Sequence, residues 1–211
     1  DIYHSWKILN SLSNNFKQEP LICEIGSGYG GLITKIKSNL TGAKCVLLDL
    51  PEVNTIQSYY LSCVFPSARL LGYKDYLEKG KSILNENFDF LILPGWVCED
   101  LFLDKQVDLF INIRSFMEMS KIQIEKYFRC IQNSLKADGI FACFNRYKKK
   151  VKVNEKEFFD NCFKEYPFDN NWSAILSEPS PIQPIIHLLI VKREKENLRL
   201  AFKEKFSELL K

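Results

Sequence analysis

The chain has 211 residues, 46% of them hydrophobic, and 29 Lys and Arg against 26 Asp and Glu give a net charge of +3. That length supports one sizeable core, and the charge is too even for a large nucleic-acid footprint, which needs a clearly basic face. No apolar run approaches the roughly 18 residues of a membrane span. No signal-peptide pattern opens the chain, which begins at Asp1 rather than Met, as a piece lacking an N-terminal segment would.

Residues 5–17 (SWKILNSLSNNFK) read as a helix within a leading segment, 1–20. PLICEIG (20–26) is a buried strand, and GGLITKIKSNL (30–40) starts a helix directly after a run of glycines. AKCVLLDLP (43–51) is a strand stopped by Pro51, and EVNTIQSYYLSCVF (52–65) is a helix. Strands follow at 68–73, 88–95 and 107–113. Residues 121–139 carry Ile124, Tyr127, Phe128, Ile131 and Leu135 at helical spacing, with Gly139 as the C-terminal breaker. IFACFNR (140–146) is a strand, and EKEFFDNCFKEY (155–166) reads as a helix. The basic run Arg146-Tyr147-Lys148-Lys149-Lys150 reads as a solvated loop.

WSAILSEP (172–179) and PIIHLLIVKRE (184–194) are separated by too few residues for a parallel crossover, so they must pair antiparallel. A charged amphipathic helix, 195–211, closes the chain. Short strands alternating with helices predict one α/β domain over 1–211, with an α/β core over 21–194. The expected architecture is a Rossmann-like three-layer α/β/α sandwich, its sheet mostly parallel and ending in an antiparallel hairpin.

Seven cysteines fall outside any C-x-x-C pair: Cys23, Cys45 and Cys143 in strands, Cys63, Cys130 and Cys162 in helical patterns, Cys98 in a loop. Such scatter predicts reduced, buried thiols of a cytosolic protein rather than a disulfide framework or a zinc site. The two histidines, His4 and His187, are 183 residues apart, and His187 reads as a satisfied strand histidine.

Gly26-Ser27-Gly28-Tyr29-Gly30-Gly31 fits both the dinucleotide fingerprint and the loop that holds S-adenosylmethionine (SAM). Three features favour SAM. Glu24 stands two residues before the loop, where a carboxylate holds the cofactor's ammonium; a dinucleotide offers no cation there. Asp49 ends the next strand, where a carboxylate accepts from both ribose hydroxyls. The terminal antiparallel hairpin is the topological mark of class I methyltransferases. An NAD(P)-dependent oxidoreductase and a non-catalytic SAM-binding scaffold subunit are the alternatives.

CEIGSGYGGL, LLDLPEV, YYLSCVFP, VDLFINIRSFMEM, KYF and NR, in that order over Leu21 to Arg146, resemble the sugar O-methyltransferase family of class I SAM-dependent enzymes. The resemblance implies methyl transfer to a sugar, nucleotide-sugar or glycan hydroxyl in surface-polysaccharide synthesis, with S-adenosylhomocysteine (SAH) as product. It implies that Glu24, Gly26, Ser27, Gly28, Tyr29 and Gly30 line the methionine end. Asp49 and Leu50 would hold the ribose and flank the adenine, which Trp96 and Val97 would cover, and Asn112 would be a further cofactor contact.

Ligands of an open parallel sheet bind beyond the carboxyl ends of its strands, which puts Asn112 to Met119 at the mouth of the site. A sugar hydroxyl needs help losing its proton. Glu118 is the candidate base, with Asn112, Arg114 and Ser115 as polar orienters; alternatively, Ser115 and Glu118 form a helix capping box. Arg146 ends the next strand and suits an anionic part of the acceptor. No carboxylate cluster commits the chain to a divalent metal, and the oligomeric state stays open.

Overall fold

The computed structural model describes residues 1–12, 19–102, 106–152, 158–195 and 202–210. Its first half runs α1 (Ile2–Ser11), β1 (Leu21–Ile25), α2 (Gly31–Asn39), β2 (Lys44–Asp49), α3 (Pro51–Val64), β3 (Leu70–Leu71), α4 (Tyr73–Lys79) and β4 (Phe90–Pro94). The second half runs α5 (Cys98–Leu101), β5 (Val107–Ile113), α6 (Lys121–Ser134), β6 (Leu135–Arg146), β7 (Lys148–Lys152), β8 (Phe158–Cys162), β9 (Trp172–Pro179), β10 (Ile186–Arg193) and α7 (Phe202–Leu209).

Eight strands form one sheet in the order β3-β4-β2-β1-β5-β6-β10-β9. Pairing is parallel throughout except where β10 meets β6 and β9. The α/β sandwich with a C-terminal antiparallel hairpin is therefore the fold the chain adopts. Alternating strand residues feed two cores. Ile22, Leu47, Leu109 and Ile111 pack with Ile8 of α1, Ile33 and Ile36 of α2 and Leu61 of α3. Cys23, Val46 and Phe110 face the other way, toward Ile124, Phe128 and Ile131 of α6 and Phe202 and Phe206 of α7. Strands covered on both faces read as continuous apolar runs, which made them legible.

Four expectations need correction. Pro51 begins α3 rather than ending a strand: its fixed φ and missing N–H suit the first helical turn. The expected strand at 68–73 shrinks to Leu70–Leu71, and α4 follows at once. The expected helix at 121–139 stops at Ser134 because Leu135 is already extended and pairs with Val107. Gly139 thus lies in β6, beside Asp138 at φ 64°, where the β5–β6 register shifts.

The fourth correction is the largest. The expected helix at 155–166 is instead strand β8, paired antiparallel with β7, so the lysine run is a strand and Cys162 is not helical. Residues 155–157 lie outside the described residues, as do 13–17 of the expected leading helix and 196–201 and 211 of the expected terminal one. All seven cysteines are free thiols, but Cys98 opens α5 rather than lying in a loop, and the expected burial holds for five only: Cys63 is exposed and Cys162 partly so.

Candidate functional site

The carboxyl ends of β1, β2, β4 and β5 surround a cavity of about 710 Å³, within the range of small-molecule sites. The loop after β1 turns through Gly26, Gly28 and Gly30, all at positive φ, into the N-terminus of α2. Two of these glycines have evident work. A Cβ on Gly26 would overlap the Ser115 hydroxyl, so only glycine lets the loop meet the β5 end. A Cβ on Gly28 would meet no atom within 4 Å; this glycine lines the cavity, and its bare backbone leaves room for a ligand.

Asp49 ends β2 at the same cavity. Its Oδ2 accepts from the Gly28 N–H at 2.7 Å and its Oδ1 from the Leu50 N–H at 2.8 Å. Partial burial pushes its carboxyl above the usual range, those two amide bonds oppose the shift, and Glu52 adds to it. Leu50 and Trp96 both line the cavity with large apolar side chains left 59% and 63% exposed. Two exposed apolar groups on one cavity are unusual for surface residues and suit a flat ring between or against them. Tyr127 and Val53 complete that end.

Glu24 is 3% exposed on β1 and does not line the cavity. Burial, then the nearby Asp49 charge, pushes its carboxyl up to about 8, against a hydrogen bond from the Ile33 N–H. Its Oε2 has no hydrogen-bond partner among the described residues. An orphaned buried carboxyl oxygen behind a glycine loop fits a ligand ammonium. Glycine loop, Asp49, exposed apolar pair and buried acid together fit SAM.

Asn112 is fully buried and saturated. Its Nδ2 donates to Ile25 O at 3.0 Å and to Ser115 Oγ, while its Oδ1 accepts from Phe116 N at 3.2 Å and Asn145 Nδ2 at 2.9 Å. It ties β1, β5 and β6 together and has no capacity left for a ligand. Ser115 lines the cavity, its Oγ donating to Ile25 O at 3.1 Å. Arg114, between them, sits at φ 63° and lines the cavity. A left-handed non-glycine residue costs about 1–3 kcal/mol and such residues cluster at functional sites.

Glu118 also lines the cavity and pairs with Lys149 Nζ of β7 at 2.7 Å. The expected Ser115–Glu118 capping box does not form: a short 3₁₀ turn, Phe116–Glu118, lies there without a side-chain cap. The capping box is built by Ser120 and Gln123 at the start of α6 instead.

Of the remaining candidates, Ser27 is buried, its Oγ accepting from Gln57 Nε2 at 2.7 Å. Tyr29 is exposed and outside the cavity lining, its hydroxyl donating to Asp1 and its ring edge-on to Tyr60. Gly30 and Val97 lie behind the cavity wall, and Arg146 stands at the end of β6 outside the lining. His187 is the satisfied strand histidine expected, bonded at 2.8 Å to both Tyr147 and Ser177.

Sequence reasoning missed Gln57, which also donates to Gly28 O at 2.7 Å and braces the loop from α3. Its signal was available: a polar residue one turn before buried Leu61 on the core face of a helix. Gln123 and Lys126 were missed because their side of α6 reads like an ordinary solvated face, and Tyr127 because it reads as part of the helix's apolar stripe. No group of three or more His, Cys, Asp or Glu suited to a metal occurs among the described residues.

No family model matches the chain. No curated protein matches it either. Solved structures do match. The mitomycin 7-O-methyltransferase MmcR is 14% identical, with TM-score 0.56 over 91% of this chain and 53% of its own. The 1,6-didemethyltoxoflavin-N1-methyltransferase of Burkholderia thailandensis, solved with 1,6-didemethyltoxoflavin and S-adenosylhomocysteine, is 11% identical, with TM-score 0.56 over 84% of this chain and 72% of its own. The CurJ carbon methyltransferase is 12% identical, with TM-score 0.52 over 90% and 52%. The chain spans about half the length of the first and last of these. At such identities the likeness is one of fold: the chain has the fold of class I methyltransferases, shared here by enzymes named for transfer to oxygen, nitrogen and carbon.

Proposed function

We propose that this chain binds SAM at the glycine loop and transfers its methyl group to a hydroxyl of a sugar or sugar-linked intermediate, in the cytoplasm, during synthesis of a surface polysaccharide or glycan. The observation that carries the cofactor is Asp49: two backbone amides fix its carboxylate at the cavity, and its remaining lone pairs suit the paired ribose hydroxyls. Leu50 and Trp96 flank the adenine, and Glu24 answers the ammonium. When bound, SAM supplies an electrophilic methyl on sulfur, displaced in line with the bonding pair going to sulfur.

The chain's own residues handle the acceptor. Glu118 takes the hydroxyl proton through lone pairs its Lys149 bridge leaves open, and Ser115 helps aim the hydroxyl. Asn112 acts as a positioning residue by fixing Ser115 and the β5 end. The sugar itself rests on the family resemblance of Leu21 to Arg146.

Thermal shift tests the reading directly. SAH at millimolar concentration should raise the melting temperature by ligand linkage, and NAD(P) should not. Asp49→Ala should cut the SAH shift to a small fraction. A shift with NAD(P) instead, or an unchanged SAH affinity in Asp49→Ala, overturns it.

A further inference from the structure

The charged groups of the cavity do not balance in the way their number suggests. Three carboxylates line it, and each is engaged: Asp49 by two backbone amides, Glu99 by Arg129 at 3.0 Å, and Glu118 by Lys149 at 2.7 Å. Two cations line it, Arg114 and Lys126, and neither has an ion pair or a side-chain hydrogen bond among the described residues. Two of the three acids thus have cationic partners and the third is held by backbone amides, whereas both bases lack an ion-pair partner among the described residues. Cations with free donors on a shared concave wall raise the local concentration of anions and await a counter-charge.

Arg114 adds an independent sign. It holds a left-handed backbone at φ 63° immediately after β5, where glycine or asparagine would sit with less strain. Its N–H is fixed to Phe144 O at 2.8 Å, so the strained residue is locked against β6 rather than loose. Strained residues cluster at functional sites, and a guanidinium fork at this cavity wall recognises carboxylates and phosphates with two parallel hydrogen bonds.

We infer that the acceptor is anionic: Arg114 and Lys126 bind a phosphate or carboxylate group on the molecule that receives the methyl. This rests on the methyl-transfer reading and narrows its substrate class. A neutral glycan would leave both cations unanswered. A sugar phosphate, a nucleotide-linked sugar or a uronic acid would answer them with the same chemistry.

The test is made on the full chain saturated with SAH at low ionic strength, titrated with glucose, glucose 1-phosphate and glucuronate. At least one anionic probe should bind about tenfold or more tightly than glucose, the gain of roughly one charge-assisted contact. The preferred anion identifies the group, phosphate or carboxylate. In the double variant Arg114→Asn/Lys126→Gln that preference should vanish while the SAH shift persists, and Arg114→Lys with Lys126 intact should retain part of it.

Equal or absent binding of all three probes overturns the proposal, as does a preference that survives the double variant. A double variant that loses the SAH shift overturns it too, by assigning the cations to the cofactor's own carboxylate. Absence of an SAH shift in the unmodified chain, seen before any probe is added, strikes the methyl-transfer reading instead.

Discussion

Under the proposed function Glu24 serves two opposed demands, burial and a charged ligand, and the conflict can be tested. Its carboxyl is raised to about 8 by burial and by Asp49, so at pH 7 the folded protein without ligand holds it mostly protonated. Between its ordinary value of 4.5 and about 8 the native state binds a proton the unfolded chain has lost, so stability falls as pH rises through that window. A tenfold change in proton affinity is worth about 1.4 kcal/mol, which makes the cost at pH 8 a few kcal/mol at most. Glu24→Gln keeps an oxygen for the Ile33 N–H and removes the cost. It should therefore raise the melting temperature at pH 8, least at pH 5, while weakening SAH binding about tenfold or more. Binding of a ligand ammonium should also release a proton from Glu24 at pH 7, detected by calorimetry in buffers of different ionisation enthalpy. A variant that is more stable yet binds SAH unchanged would remove Glu24 from the site. Nothing in the letters C-E-I-G reveals this pKa; they place an acid before a glycine loop, and only packing says how deeply it is buried.

The β7–β8 hairpin is where sequence and structure part, and the reason is physical. Lys148–Lys152 is too charged to read as a strand, yet an exposed strand pair tolerates lysines well. In β8, Phe159 and Asn161 face inward while Phe158 and Asp160 face out, a period of two that the charged, helix-favouring flanks obscure. The parallel strands were legible because continuous apolar runs such as CVLLD leave few alternatives; a half-exposed hairpin has no such run. Asn161 secures this hairpin to the cavity rim, its Nδ2 donating to Phe116 O at 2.8 Å and Met119 O at 3.1 Å. Lys149 reaches Glu118 from the same hairpin, through a partly exposed ion pair. Asn161→Ala strands two inward-facing carbonyls and should cost about 1–3 kcal/mol. Lys149→Ala should cost under about 1 kcal/mol, as exposed pairs do. Urea unfolding of both variants distinguishes them, and equal losses would mean that the ion pair holds the hairpin as strongly as the amide does, against this ranking.

Across the whole molecule, the antiparallel end of the sheet is held by its β6–β10 ladder and by a side-chain relay centred on one imidazole. Ser177 Oγ donates its single proton to Leu209 O of α7, so it accepts from His187 Nε2–H, and Nδ1 is left to accept from the Tyr147 hydroxyl. The ring thus links β9, β10, the segment after β6 and the terminal helix in one neutral tautomer. Burial lowers its pKa to about 4, with Glu178 opposing. Above 6.5 both folded and unfolded chains hold neutral His187 and it adds no pH dependence. Below 6.5 the unfolded chain takes a proton the folded one refuses until about 4, so stability is lost as pH falls through that window. The full loss is up to about 3 kcal/mol from this group. His4, also lowered to about 4 by burial, the N-terminal charge and Arg114, tilts the profile the same way. Glu24 tilts it the opposite way across 4.5 to 6.5, partly hiding the histidines in the unmodified chain. Urea unfolding from pH 7 to 4.5 in a Glu24→Gln background should therefore show a steeper acid loss than the unmodified chain. Adding His187→Gln, which keeps a donor and an acceptor, should flatten that loss by half or more. An acid limb that stays as steep without His187 would mean that carboxylates, not this imidazole, govern how the sheet's antiparallel end lets go.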